Sequence, residues 1–402
     1  MLIEIILFLF LGIAAGTFTG LIPGIHINLI GILLISLISL PLFASINTIY
    51  FVVFITSMAI THTFVDFIPS IFLGCPDTDT ELSILPGHEL LKEGLGHEAV
   101  VISAYGSLFA IFFLLIIIIP SIYIIPLTNK FIEKIIPYFL IIISIGLILI
   151  ENNKFKALFA FTLSGILGWL VLGSNQELIN QPLLPLLTGL FGSSSLLISI
   201  KNKTIIPKQI ITKKIRIHSY KPLLGALIAS PLCSFLPGLG SGQAAIIGNQ
   251  LSKIHSSDKR GFILLLGATN TLVMGFSFLS LYLISKTRTG AAVAINNLIG
   301  IPSTKLLILI IFAITFSGIF SFFLTIKISK IISRKIEKIN YQRLSILTII
   351  FLTFLVTIFT GLLGLLIFII STLIGVYCIS LGVRRTNLMG CLLIPTIIFY
   401  LI

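Results

Sequence analysis

Leu21-Ile22-Pro23-Gly24-Ile25-His26-Ile27-Asn28 and Phe235-Leu236-Pro237-Gly238-Leu239-Gly240-Ser241-Gly242 are two versions of one passage, each set in an apolar stretch long enough to enter a bilayer. A Pro-Gly step removes one amide donor and loosens the backbone, so N–H and C=O groups lose their helical partners at a depth where lipid offers none. Such a break persists only beside protein or water. Two breaks at corresponding places in two halves point to a binding site of the kind found in transporters assembled from repeats.

Composition defines the broad class. The 402 residues are 57% hydrophobic and 10% charged, with a mean hydropathy of +1.17, whereas a soluble domain carries roughly 25% charge. The chain therefore reads as an all-α polytopic membrane protein. Runs such as Leu108 to Ile119, Phe139 to Ile150 and Leu306 to Phe316 hold no formal charge, as helices in lipid require. The net charge of +13 comes from Lys and Arg gathered in loops, a pattern that sets topology and argues against nucleic acid as a partner. Cys75, Cys233, Cys378 and Cys391 show no CxxC spacing, which excludes a zinc knuckle or disulfide framework. Leu2 to Phe18 carries Glu4 in place of a basic start and runs straight into the first break, so it reads as a retained helix.

About 20 residues cross the hydrocarbon core. On that measure 27–41, 222–236, 239–251 and 291–301 are half-helices or arms of re-entrant hairpins, and roughly ten to twelve crossings remain among the other apolar segments. The basic linker of Lys201, Lys203, Lys208, Lys213, Lys214, Arg216 and Lys221 should be cytoplasmic. So should a second basic loop holding Lys327, Lys330, Arg334, Lys335, Lys338 and Arg343. Counting from these puts the N-terminus outside and inverts the two halves relative to each other. Lys130 and Lys134, outside by this count, weigh against it.

The resemblance between the halves extends past the breaks. Each is followed by a long helix with a Thr-x-Thr step, Thr61-His62-Thr63 and Thr269-Asn270-Thr271, at similar distances from its proline. The expected organisation is a first repeat over 1–125, scaffold helices and basic linker over 126–221, a second repeat over 222–326, and a basic loop with C-terminal helices over 327–402. Each repeat holds one Pro-Gly-broken re-entrant hairpin.

The resumed helix after each break offers N–H groups and partial positive charge, which suits a carboxylate or phosphate. Pro23, Gly24, His26 and Asn28 at the first break, and Pro237, Gly238, Gly240, Ser241, Gly242 and Gln243 at the second, are the candidate substrate-binding residues, with Asn270. His62 and Asp66 sit one turn apart. An ionisable group at membrane depth is costly there and faces a cavity, a partner or a proton path. Thr61, His62, Asp66 and Thr269 are accordingly the candidates for coupling transport to Na+ or H+; a local Asp66–His62 hydrogen bond is the plainer alternative. Kinked helices and close glycine packing are the structural alternative for the breaks.

Between Gly74 and Val100 stand Asp77, Asp79, Glu81, Glu89, Glu93 and Glu98 with His88 and His97. Their spacing matches no metal motif, and a solvated amphipathic loop is expected. No cofactor is expected. Ser241 lacks the G-x-S-x-G setting of a nucleophile elbow; an intramembrane hydrolase is the remote alternative.

Several passages together resemble the large membrane subunit of tripartite tricarboxylate transporters, in an archaeal branch. They are Gly12, Gly16 and Pro23 at the start, the Ile71-Phe72-Leu73-Gly74-Cys75-Pro76 turn, Leu85-Pro86-Gly87-His88-Glu89-Leu90-Leu91-Lys92-Glu93-Gly94, the second Leu236-Pro237-Gly238-Leu239-Gly240, and Gly382 to Gly390. The resemblance covers most of the chain, and Asn270 looks like that family's second-half asparagine. It implies a multi-pass permease of the cell membrane; alternating access is what the repeat itself leads one to expect. The substrate implied is a small organic anion, driven by an ion gradient and fed by an extracytoplasmic binding protein with a small membrane subunit. A homo-oligomer is compatible with this. His26 and Asn28 depart from the glycine-rich continuation of the family, so a translocase for a polyprenyl phosphate or other lipid-linked anion is the alternative.

Overall fold

The computed structural model describes residues 2–22, 46–74, 80, 82, 84–173, 182–202, 206–211, 219–235, 240–252, 258–337 and 340–401, without the side chains of 84, 85, 128–133 and 136. Among the described residues every regular element is helical. The first half holds α1 (Leu2–Leu21), α2 (Thr48–Val65), α3 (Phe67–Leu73), α4 (Ile84–Lys92) and α5 (Gly96–Leu149). Next come α6 (Lys154–Gly173) and a continuous rod of α7 (Leu183–Leu187), a π-helical turn (Thr188–Ser193) and α8 (Ser194–Lys201). The second half holds α9 (Lys221–Phe235), α10 (Ser241–Ser252), α11 (Lys259–Ile284), α12 (Gly290–Ile299) and α13 (Thr304–Ile336). The chain closes with α14 (Tyr341–Ser380), a 3-10 turn (Arg385–Met389) and α15 (Gly390–Leu401).

Among the described residues eight helical segments are long and apolar enough to cross a bilayer, and shorter apolar helices include Pro137–Leu149, Lys221–Phe235 and Gly290–Ile299. The 40-residue α14 is two arms: Gly361 adopts φ 67° and ψ −165°, a backbone that L side chains rarely take. The spans of α2 with α3 and of α11 are almost wholly buried, so they form the centre, and the lipid-exposed helices surround them.

Helix directions follow from which residues touch. Gly12 lies against Phe54 and Ser57, Gly16 against Met58 and Thr61, and Gly20 against Val65, so α1 and α2 run the same way. Glu98 pairs with Arg260, Ser103 abuts Gly267 and Leu114 abuts Gly275, so α5 and α11 are also parallel. In contrast, His97 meets Ser329, Tyr105 meets Phe322 and Ile111 meets Gly318, which makes α5 and α13 antiparallel. Asp66 with Asn270 and Thr63 with Thr271 make α2 and α11 antiparallel. In α9 and α10, Gly225 faces Gly248 and Ser252, so these helices fold back on each other. At 15 and 12 residues they are about 22 and 18 Å long, less than a bilayer core.

Two expectations differ from the structure. Residues Lys327 to Lys335 are no loop: α13 continues ten residues past 326, burying Ser329, Ser333 and Ile336 while its basic side chains sit at the C-terminal end, where the helix dipole favours cations. The stretch from 84 to 100 is no solvated loop either. It forms α4 and the start of α5, with His88, His97 and Glu98 buried. Of the expected boundaries, 125/126 falls inside α5 and 326/327 inside α13. The first break and residues 27–41, with Pro23, Gly24, His26 and Asn28, lie outside the described residues, as do Pro237, Gly238, Cys75, Asp77, Asp79 and Glu81.

Candidate functional site

The polar centre of the bundle forms where α2 ends. Pro69 has no amide to offer the carbonyl four residues back, and the helix turns at Asp66 before resuming as α3. The hydroxyl of Ser70 donates to the Asp66 carbonyl at 2.9 Å and lies 2.6 Å from Thr80 Oγ1, which ties the turn down. Asp66 is 2% exposed, and its carboxylate accepts a hydrogen bond from Asn270 Nδ2 of α11 at 2.8 Å. One turn earlier the Thr63 and Thr271 hydroxyls are 3.1 Å apart. Thr61 accepts from Ser321 of α13 at 2.9 Å, and His62 Nδ1 lies 3.1 Å from Thr19 Oγ1 of α1. Thr269 donates to the Leu266 carbonyl of its own helix.

Of the expected residues, Asp66 and Asn270 thus meet at the contact of α2 with α11, joined by Thr63 and Thr271, while Thr61 and His62 of the same helix meet α13 and α1. The backbone N–H of Asp66 donates to the His62 carbonyl, but the side chains are engaged with Asn270 and Thr19 respectively. Asn270 was expected at the substrate and Asp66 at the coupling ion; the structure places both in one hydrogen bond.

At the second break, Gly240 precedes α10 and its N–H donates to Gln243 Oε1 at 2.9 Å, the return half of a capping box. Gln243 therefore shapes the helix start. Ser241 and Gly242 form its first, buried turn. Arg288, in the connection from α11 to α12, donates from Nη2 to the carbonyl of Phe235, the last residue of α9 before the break. Phe235 also packs edge-on against Phe276. Sequence reasoning missed Arg288. The available signal was a lone guanidinium at the far end of α11 from Lys259, away from the basic loops that set topology.

At the other end of α11, Lys259 pairs with Glu89 at 2.9 Å and Glu93 at 2.8 Å, and Arg260 with Glu98 at 2.6 Å, so much of the acidic stretch docks on the second half. His88 is buried between Gly74 and Tyr341. Desolvation, aided by the Lys92 and Arg385 charges, pushes its pKa down to about 3, so the ring is neutral. Among the described residues no group of three or more His, Cys, Asp or Glu could hold a metal ion.

A bundle of membrane-length helices around a buried carboxamide–carboxylate pair defines a polytopic membrane protein with a polar core. Residues 6–390 match the model of the tripartite tricarboxylate transporter TctA family, and the chain belongs to that family. It is 32% identical over 411 residues to the uncharacterized protein MJ1079 of Methanocaldococcus jannaschii, covering 98% of this chain and 99% of that one. No solved structure matches it. The family is a transporter family, and its name places the chain in a tripartite transport system.

Proposed function

We propose that this protein is the permease of a secondary active transport system for a small organic anion of the tricarboxylate or dicarboxylate class. It works by alternating access and is driven by a cation gradient. The observation that carries the proposal is the Asp66–Asn270 pair, held at the contact between helices that occupy corresponding places in the two halves. Three further features support inverted repeats. The order α1, α2, α4, α5 is matched by α9, α11, α12, α13; α2 and α11 run antiparallel, as do α5 and α13; and α4 packs on α11 while α12 packs on α2.

In this reading Asp66 takes the coupling ion, with Thr61, His62 and Thr269 around it. The two re-entrant hairpins, through Pro23, Gly24, His26 and Asn28 and through Pro237, Gly238, Gly240, Ser241, Gly242 and Gln243, hold the anion against helix starts. The family relationship supports an extracytoplasmic binding protein and a small membrane subunit as partners in the cell membrane, and the distribution of basic residues supports an N-terminus outside. The protein acts as a carrier and not as an enzyme.

Uptake of labelled citrate into liposomes holding the purified protein tests the proposal. Ion-driven accumulation supports it, and polyprenyl phosphate translocation without carboxylate uptake replaces it with the alternative.

A further inference from the structure

Ser317, Ser321, Thr325, Ser329 and Ser333 stand at every fourth position of α13, and none is more than 2% exposed. Such a row forms a ridge that winds slowly around the helix. Ser321 accordingly meets Thr61 of α2 at 2.9 Å, and two turns on, Ser329 meets His97 Nδ1 of α5 at 3.0 Å. Ser317 donates back to the Ala313 carbonyl. The other two hydroxyls are different: Thr325 Oγ1 and Ser333 Oγ are enclosed and have no hydrogen-bond partner among the described residues.

Small hydroxyl residues between membrane helices ordinarily serve close packing or donate to the preceding turn. A buried hydroxyl that donates to no carbonyl gives up its bonds to water without replacement, and two in one row call for another occupant. Successive members of the row rise by about 6 Å, from four residues at 1.5 Å each. That is close to two hydrogen bonds end to end, so one water fits between neighbouring hydroxyls. The row also has a start and a destination. Ser333 is followed by Arg334 and Lys335 in the last turn of α13, at the end that α5 shares with Arg260. Since α2 is antiparallel to α11, α11 parallel to α5, and α5 antiparallel to α13, α2 and α13 run the same way. Thr325, one turn past Ser321, therefore reaches about the height of Val65-Asp66, one turn past Thr61. On α5 the comparable hydroxyls, Ser103 and Ser107, are both bonded, to the Val100 and Gly267 carbonyls.

We propose that this ridge of α13 is a water-bridged proton path joining Asp66 to the Arg260 and Arg334 side of the membrane. Protons pass from water to water along the Ser333, Ser329 and Thr325 hydroxyls, each carrier giving up one proton as it accepts another, and the Asp66 carboxylate receives the last. Among the described residues His97 is the titratable side chain that hydrogen-bonds to the row. Lys330 and Arg334 flank its entrance on α13, and Glu98 with Arg260 lies beside it on α5 and α11. The proposal rests on the ion-coupled transport reading and names the ion and its route.

The test uses the full chain in liposomes containing a pH-sensitive dye, with citrate as the probe. Wild-type exchange of labelled for unlabelled citrate comes first, and its absence overturns the transport reading. Where exchange occurs, citrate entry should acidify the lumen. The Thr325→Val, Ser333→Ala double variant removes only the two unbonded hydroxyls; it should keep exchange within about twofold and acidify at least tenfold more slowly. Acidification at the wild-type rate, or uptake driven by a Na+ gradient with no acidification, overturns the proton path. Separately, Thr325→Cys should react with a small methanethiosulfonate reagent above the wild-type background if water reaches that depth. An inert cysteine overturns it also.

Discussion

Thr63 Oγ1 of α2 and Thr271 Oγ1 of α11 lie 3.1 Å apart, and each is the last residue of its Thr-x-Thr step. In the proposed reading of α2 and α11 as corresponding helices of two repeats, this contact lies on the axis relating them, and because the helices are antiparallel that axis runs across the bundle, as alternating access between inverted units requires.

Removing one member of the neighbouring pair should separate stability from coupling. Asn270→Leu leaves the buried Asp66 carboxylate without that donor and should lower stability by about 2 kcal/mol. Asp66→Asn keeps the shape and removes the charge. It should cut ion-driven uptake at least tenfold, with a smaller loss of stability than Asn270→Leu, as read by thermal unfolding in detergent.

The crossing of α5 and α11 depends on close backbone approach. A Cβ on Gly106 would stand 2.3 Å from the Leu264 carbonyl oxygen, and one on Gly267 2.1 Å from that of Ser103. Gly106→Leu should therefore destabilise the protein by at least 1–3 kcal/mol, the usual range for overpacking, whereas Gly300→Ala meets no neighbouring atom and is limited to its backbone strain at φ 66°. Parallel melting curves of the two variants check this.

His88 should make the protein acid-sensitive. Its folded pKa of about 3 lies below an ordinary value near 6.5, so the unfolded chain binds the extra proton first. The stability that the neutral ring contributes is complete above pH ~6.5 and is lost as pH falls toward 3. His88→Gln should flatten that part of the pH–stability profile, and an unchanged slope between pH 7 and 4 would contradict it.

At the second break, Gly240→Trp should abolish carboxylate uptake while the Gly240–Gln243 cap, a backbone N–H to a side chain, still starts α10. Unchanged uptake would remove the break from the binding site.

Much of this fold was legible in the sequence because lipid imposes so simple a rule: runs without charge had to be helices, and their lengths separated spans from half-helices such as Gly290–Ile299. The Thr-x-Thr steps marked α2 and α11 as corresponding helices, but that the two touch through Thr63 and Thr271 is visible only in the structure. Charge misled where it entered helices. Lys327 and Lys330 read as a loop because single-residue polarity cannot show that α13 has left the membrane while keeping its helical bonds. Glu89 and Glu93 remain partly exposed, as read, but Glu98 is buried against Arg260, a partner 162 residues away in the chain. Arg288 and the α13 hydroxyl row depend likewise on what stands opposite, which periodicity does not reveal.

The central claim, that the core of this protein binds a small multivalent carboxylate, is tested most directly by the thermal stability of the purified full chain with citrate, dicarboxylates, phosphate and polyprenyl phosphate in turn. A ligand at a hundred times its Kd should add about 2.7 kcal/mol. The account predicts stabilisation by a tricarboxylate or dicarboxylate in the wild type and its loss in Gly240→Trp. Stabilisation by polyprenyl phosphate alone, or by none of these compounds, would contradict it.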